Sequence, residues 1–178
     1  MRSLLVAALL VPSAAHAETL EAGFGGTMRF EHQIDLSADL SVMAKIAPAW
    51  WVGGAIGFGE ATLFDPAGSG QGDTSLVGGR ARVRYLRCHG AGCFGVDAGL
   101  GYQRVRMAFD DGLLMPPHRV DRQDTVFVEA RGVVQLALAD RHFIFEASLG
   151  PTLNEAIYAE GEGFAAGIVT GVGLSGAF

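Results

Sequence analysis

Residues 77–87 read VGGRARVRYLR, and few environments can hold them. Arg80, Arg82 and Arg84 occupy alternate positions, with Val77, Gly79, Ala81, Val83 and Tyr85 between them. That period of two puts the arginines on one face of a strand and apolar groups on the other, whereas a helix would scatter them. Two barrels accommodate such a strand: a soluble one with its arginines outward, and a membrane one with its arginines in the lumen and aliphatic groups against lipid. In the membrane case a slip of one residue would move all of these arginines into hydrocarbon, at roughly 2–4 kcal/mol each near the midplane, so register would be strongly fixed.

The rest of the chain repeats this logic. Residues 19–30 set Leu20, Ala22, Phe24, Gly26, Met28 and Phe30 against Glu21, Gly23, Gly25, Thr27 and Arg29. Residues 36–46 oppose Leu36, Leu40, Val42 and Ile46 to Ser37, Asp39, Ser41 and Lys45. Further strands are expected at 50–58, 94–102, 125–138, 143–152 and 164–178. Tight turns fall near 32–34, 47–49, 88–93 and 140–142, and polar or acidic loops at 65–74, 110–124 and 154–163. Trp50 and Trp51 stand beside a turn, where aromatic rings favour the level of a membrane interface. Past Tyr102 the phase is lost through Arg104 and Arg106, which predicts a bulge or emergence into water. The expected fold is all-β, an eight-stranded antiparallel up-and-down transmembrane β-barrel. Tight turns alternate with longer loops after the first hairpin, which places both termini in the periplasm.

The beginning of the chain agrees with export. Arg2, an apolar run over 4–11, Pro12, Ser13 and the pattern Ala15-His16-Ala17 predict a secretory signal over 1–17, too short to span a bilayer as a helix. Residues 18–178, about 160, are then room for one domain of eight strands. With 13 basic against 19 acidic residues the chain is a poor nucleic-acid binder. Lys45 is its one lysine, whereas water-facing surfaces normally carry many; 26 glycines and 49% hydrophobic residues complete the departure.

The polar faces favour the membrane barrel over a soluble lipocalin-like carrier. They hold Arg29, Lys45, Arg80, Arg82, Arg84 and Arg131 against Glu21, Asp39, Asp97, Glu129 and Glu146, and otherwise glycine, serine and alanine. A narrow lumen needs small residues opposite long ones, and charges buried in it need partners. An ion network plugging the lumen is therefore expected. The runner-up is a narrow channel for small anionic solutes, with Arg80, Arg82 and Arg84 at its constriction.

This architecture resembles the small OmpA/OmpX-type outer-membrane barrels over the whole chain after residue 17. The resemblance implies location in a bacterial outer membrane, contact with its lipid and lipopolysaccharide, and a role for Phe178 in the signal read by the outer-membrane assembly machinery. Gly176 stands where that signal more usually has a hydrophobic residue.

Chemistry beyond this is sparse. Cys88 and Cys93 flank a turn that a disulfide would close in an oxidising compartment. His89 alone makes no metal site, since a closed site needs about four ligands, and neither metal nor cofactor is expected. A lipid-modifying enzyme would need a nucleophile, a histidine base and an acid on one rim. Ser148 and Glu146 share a face, but no histidine lies two residues before the serine; His142 belongs to a turn, and His32 and His118 have no evident serine partner. Asp65, Asp73, Asp110, Asp111, Asp121, Asp124, Glu155, Glu160 and Glu162 make the loops acidic, which serves solubility or weak bridging of divalent cations. The expected function is that of a monomeric structural or loop-displaying envelope protein without enzymatic activity.

Overall fold

Eight runs of alternating side chains can satisfy every backbone group only by pairing side by side and closing on themselves. They do so in the computed structural model, which describes residues 19–31, 33–63, 73–109, 119–138, 142–158 and 161–178. The strands are β1 (Leu20–Phe30), β2 (Gln33–Ala47), β3 (Trp50–Leu63), β4 (Asp73–His89), β5 (Gly92–Phe109), β6 (Arg119–Leu138), β7 (Phe143–Tyr158) and β8 (Gly161–Ala177). Each pairs with its sequence neighbours, and β1 pairs antiparallel with β8, so the barrel is closed. The signal-peptide expectation for 1–17 lies outside the described residues, as do His32, Asp65, Asp110, Asp111, His118, Asp140 and Glu160.

One end of the barrel carries the turns at 48–49 and 90–91, His142 and both ends of the paired chain; we call it the turn end, and the other the loop end. At the loop end the strands are longer than the hydrophobic alternation predicts. Asp73 and Thr74 belong to β4, 119–124 to β6, 155–158 to β7 and 161–163 to β8, all read from the sequence as loop. Most of these residues are polar or glycine, so their composition reads as loop while the hydrogen-bond ladder continues. Of the two expectations for Arg104 and Arg106, a bulge and emergence into water, the second holds. The register runs without a shift from β4 through β5 to β6, and Arg104 keeps the outward phase of Tyr102. It has emerged into water, where it pairs with Asp124 at 2.7 Å.

The two faces invert the arrangement of a water-soluble domain. Phe24, Leu40, Val96, Leu100, Val134 and Leu149 on the outside are each more than half exposed, whereas Arg84, Asp97 and Glu129 on the inside are 1–2% exposed. Charged residues are almost never buried to that degree unless paired, and a continuous exposed apolar band calls for an apolar surrounding. Lumen glycines make room for the long side chains. A Cβ on Gly101 would lie 2.2 Å from the ring of Phe127, and one on Gly99 would lie 3.0 Å from Cγ of Glu129. Small opposite large is what lets eight strands close around a filled interior.

Candidate functional site

The strand period points one side chain in two into the lumen, and the inward set is charged along most of its length. Starting at the loop end, Ala61, Leu76 and Val105 form a buried apolar cluster. Next to it, Gln103 Nε2 donates to Asp35 at 3.1 Å and Gln103 Oε1 accepts from Arg29. The Arg29 guanidinium stacks 3.8 Å above the Phe127 ring and lies 3.7 Å from Glu129, so it is held by a cation–π contact and an ion pair together.

The middle of the lumen is a branched array. Arg131 donates to Glu129 at 2.6 Å, and Arg80 faces the other oxygen of Glu129 at 3.5 Å. Arg80 also donates to Asp39 at 3.0 Å, and Asp39 accepts from Thr27. Nearer the turn end, Asp97 accepts from Arg82 Nε at 3.0 Å and from Arg84 Nε at 2.9 Å. Glu146 lies 3.3 Å from Arg82 and 2.7 Å from Arg84, and accepts from Gln135 at 3.0 Å. One inward position further, Leu86 and Ile144 are buried. On β4 the charged array thus has a buried leucine on either side of it, Leu76 and Leu86. Two cavities of about 50 and about 20 Å³ share Asp39 and Arg80 in their walls, each with room for a few waters at most.

Of the eleven charged residues expected on the polar faces, ion pairs join nine into one array: Arg29, Asp39, Arg80, Arg82, Arg84, Asp97, Glu129, Arg131 and Glu146. Glu21 is buried in the same lumen and lines the larger cavity with Arg82, Arg84 and Glu146. Lys45 lies on the same inward face nearer the turn end, across from Trp51. Trp51 is also the cross-strand partner of Arg84, so it shares the lumen face, whereas Trp50 is outward and stacks edge-on against Tyr85 at 5.1 Å. Adjacent strand residues point to opposite faces, so the expectation that both tryptophans are outward at an interface is corrected: Trp51 faces the lumen. Cys88 and Cys93 are directly paired across the β4–β5 hairpin and form the expected disulfide. Phe178 is outward and exposed, its backbone paired in both directions with Leu20.

The sequence reading omitted Asp35, Gln103, Phe127, Glu31 and Asn154. Glu31 and Asp35 flank the turn expected near 32–34 and fall outside the expected strands, and Asn154 falls in an expected loop; Gln103 and Phe127 carry no charge to mark them, although alternation alone puts both inward. Ser148, weighed as a nucleophile, lies 3.5 Å from Arg131 Nη1. His142 and His89, the histidines among the described residues, stand at or beside turns of the turn end, and no group of three or more metal-ligating side chains occurs among the described residues.

Glu31 stands beyond the end of β1, in the turn before β2, where Asn154 Nδ2 donates to both carboxylate oxygens at 2.7 Å. Burial, and then the negative charge of Asp35, push its carboxyl from 4.5 up to about 7 against the pull of Arg29 and of the Asn154 amide. A folded-state value above the unfolded one means that the contribution to stability is complete below 4.5 and lost as pH rises through about 7. Urea midpoints are therefore expected to fall between about pH 5 and about pH 8 by a step that Glu31→Gln removes. A variant with an undiminished step would assign the titration to another group.

No protein-family model matches the chain, and no curated protein does. Solved structures do match over nearly its whole length. Neisserial surface protein A superposes with a TM-score of 0.60 at 10% identity, over 90% of this chain and 96% of that one. A major outer membrane protein from Thermus thermophilus gives 0.59 at 12%, over 89% and 99%. The N-terminal β-barrel domain of Pseudomonas aeruginosa OprF gives 0.54 at 14%, over 91% and 98%. At such identities the likeness is one of fold: the chain has the architecture of the small eight-stranded outer-membrane barrels.

Proposed function

We propose that the chain is an integral protein of a bacterial outer membrane, exported by a signal over residues 1–17 and inserted as a monomeric barrel whose plugged lumen gives it a structural or loop-displaying role. The turn end then faces the periplasm and the loop end the outside. The observation that carries this reading is the pairing of an exposed apolar outer band with a buried ionic interior. Water would oppose both halves of that arrangement, and hydrocarbon favours both. Outward rings support it at the two edges of the band: Trp50, Tyr85, Phe94 and Phe143 toward the turn end, Phe30, Phe58 and Tyr102 toward the loop end. Phe178, exposed beside Leu20 where the barrel closes, is the position we assign to recognition by the assembly machinery. The shared Asp39–Arg80 wall between the two small cavities favours a plug over an anion channel. A structural rather than catalytic role fits the position of Ser148 against Arg131, with His89 and His142 at the opposite rim from the loops.

The test is electrophoretic mobility in dodecyl sulfate of the detergent-refolded chain, boiled and unboiled. A closed membrane barrel keeps its structure until heated, so a heat-dependent shift is expected. Unchanged mobility, together with solubility in the absence of detergent, would overturn the membrane reading. Planar-bilayer recording tests the plug separately: sustained conductance abolished by charge reversal at Arg82 would replace it with the channel.

A further inference from the structure

Two tyrosines on the outer face each carry an arginine two residues further along the chain. Tyr102 and Arg104 stand toward the loop end of β5, Tyr85 and Arg87 toward the turn end of β4. In both pairs the guanidinium donates to the phenol oxygen, at 3.0 Å for Arg104 and 2.7 Å for Arg87. They differ in what neutralises the charge. Arg104 also donates to both oxygens of Asp124, at 2.7 and 3.1 Å. Arg87 is exposed and has no carboxylate partner among the described residues; its neighbours are rings. Its guanidinium carbon is 5.8 Å from the centre of the Tyr85 ring, Trp50 stacks on that tyrosine, and Phe94 is its cross-strand partner.

The backbone that presents Arg87 is pinned. The next residue, Cys88, is joined to Cys93 across the hairpin, and the turn closes through Gly90 at φ 61°, a conformation that favours glycine. A guanidinium at a fixed height, with no carboxylate partner among the described residues, at the edge of an apolar band and flanked by rings, matches one kind of ligand. We propose that Arg87, with Tyr85 and Trp50, binds the phosphate of an anionic glycerophospholipid in the leaflet at the turn end. The inference rests on the membrane reading above. Guanidinium N–H groups match phosphate oxygens in geometry and charge. Deeper in the band, Val83 and Val96 on the same outer face are 47% and 60% exposed and offer a wall for the acyl chains. Those chains distinguish the lipid from free phosphate, because a lone exposed ion pair is worth at most about 1 kcal/mol.

The refolded chain is placed in nanodiscs of phosphatidylcholine alone or mixed with phosphatidylglycerol, and the lipids it retains are counted by native mass spectrometry. Wild type is expected to retain phosphatidylglycerol selectively. Arg87→Gln should lower that retention roughly fivefold, the factor given by the worth of one basic residue at an anionic surface, while Arg104→Gln leaves it unchanged. Equal retention in wild type and Arg87→Gln overturns the proposal, as does an equal loss in Arg104→Gln. Displacement of the lipid by inorganic phosphate would assign the site to a free anion and overturn it too. Tyr85→Phe removes only the phenol oxygen and serves if Arg87→Gln does not refold; about a twofold loss is expected, and none overturns the proposal. A chain that enters neither nanodisc refutes the membrane reading instead, a failure visible in the neutral lipid alone.

Discussion

Ala98→Arg is expected to destabilise the refolded barrel by about 2–4 kcal/mol, the penalty for an arginine at the middle of a bilayer. Ala98 is the central outward residue of β5 between Phe94 and Tyr102, and its cross-strand partners are Val83 and Ala130. It is exposed, so the larger side chain meets no packed neighbour. In water such a substitution would change stability by no more than about 0.5 kcal/mol. The same variant thus separates the two barrels compatible with the arginine strand. Urea titration in phospholipid vesicles measures the difference, and a change within the smaller range would put the outer face in water. The outward arginines already present on β5, Arg104 and Arg106, lie beyond Tyr102, Arg104 with Asp124 beside it, so the strand itself marks where the apolar band stops.

How much of this was legible in the sequence depends on which physical signal a residue carries. Alternation is a strong signal wherever one face is apolar and the other is not, and residues 77–87 give both strand and face without help. The same signal weakens at the loop end, where Arg104 and Asp124 are outward in water and Gln103 and Thr125 are inward. Polar residues stand on both faces there, so the ladder continues through residues whose composition reads as loop. In the lumen, sign of charge predicted which residues gather but not which pair. Arg80, Arg82 and Arg84 are evenly spaced along one strand, yet Arg82 and Arg84 share Asp97 and Glu146 whereas Arg80 reaches Asp39 and Glu129. That division follows from the stagger of eight tilted strands, which brings β2 and β6 residues to the level of Arg80 and β5 and β7 residues to the level of Arg82 and Arg84. Stagger is a property of closure, and no single segment reports it.

The division also says where the lumen is least tolerant. Asp97→Ala is expected to destabilise the barrel by about 3–5 kcal/mol, the range for breaking a buried ion pair from one side. Asp97 is 1% exposed and accepts from Arg82 at 3.2 and 3.0 Å and from Arg84 at 2.9 Å. Without it the direct ion pairs left to the two buried guanidinium groups are those with Glu146, whose oxygens already serve Arg84 at 2.7 Å and Gln135 at 3.0 Å. The magnitude therefore comes from the cation left behind rather than from the bond removed, which makes it testable by a second substitution. Adding Arg82→Met should recover a large part of the loss, because Arg84 keeps Glu146 and no buried charge remains unanswered. Denaturant midpoints of the two single variants and the double variant give the coupling energy. If the lumen charges were solvated like surface pairs, Asp97→Ala would change stability by no more than about 1 kcal/mol and Arg82→Met would rescue nothing. That outcome would replace the plugged interior with a wet one, and the conductance of the barrel would then have to be explained by its arginines.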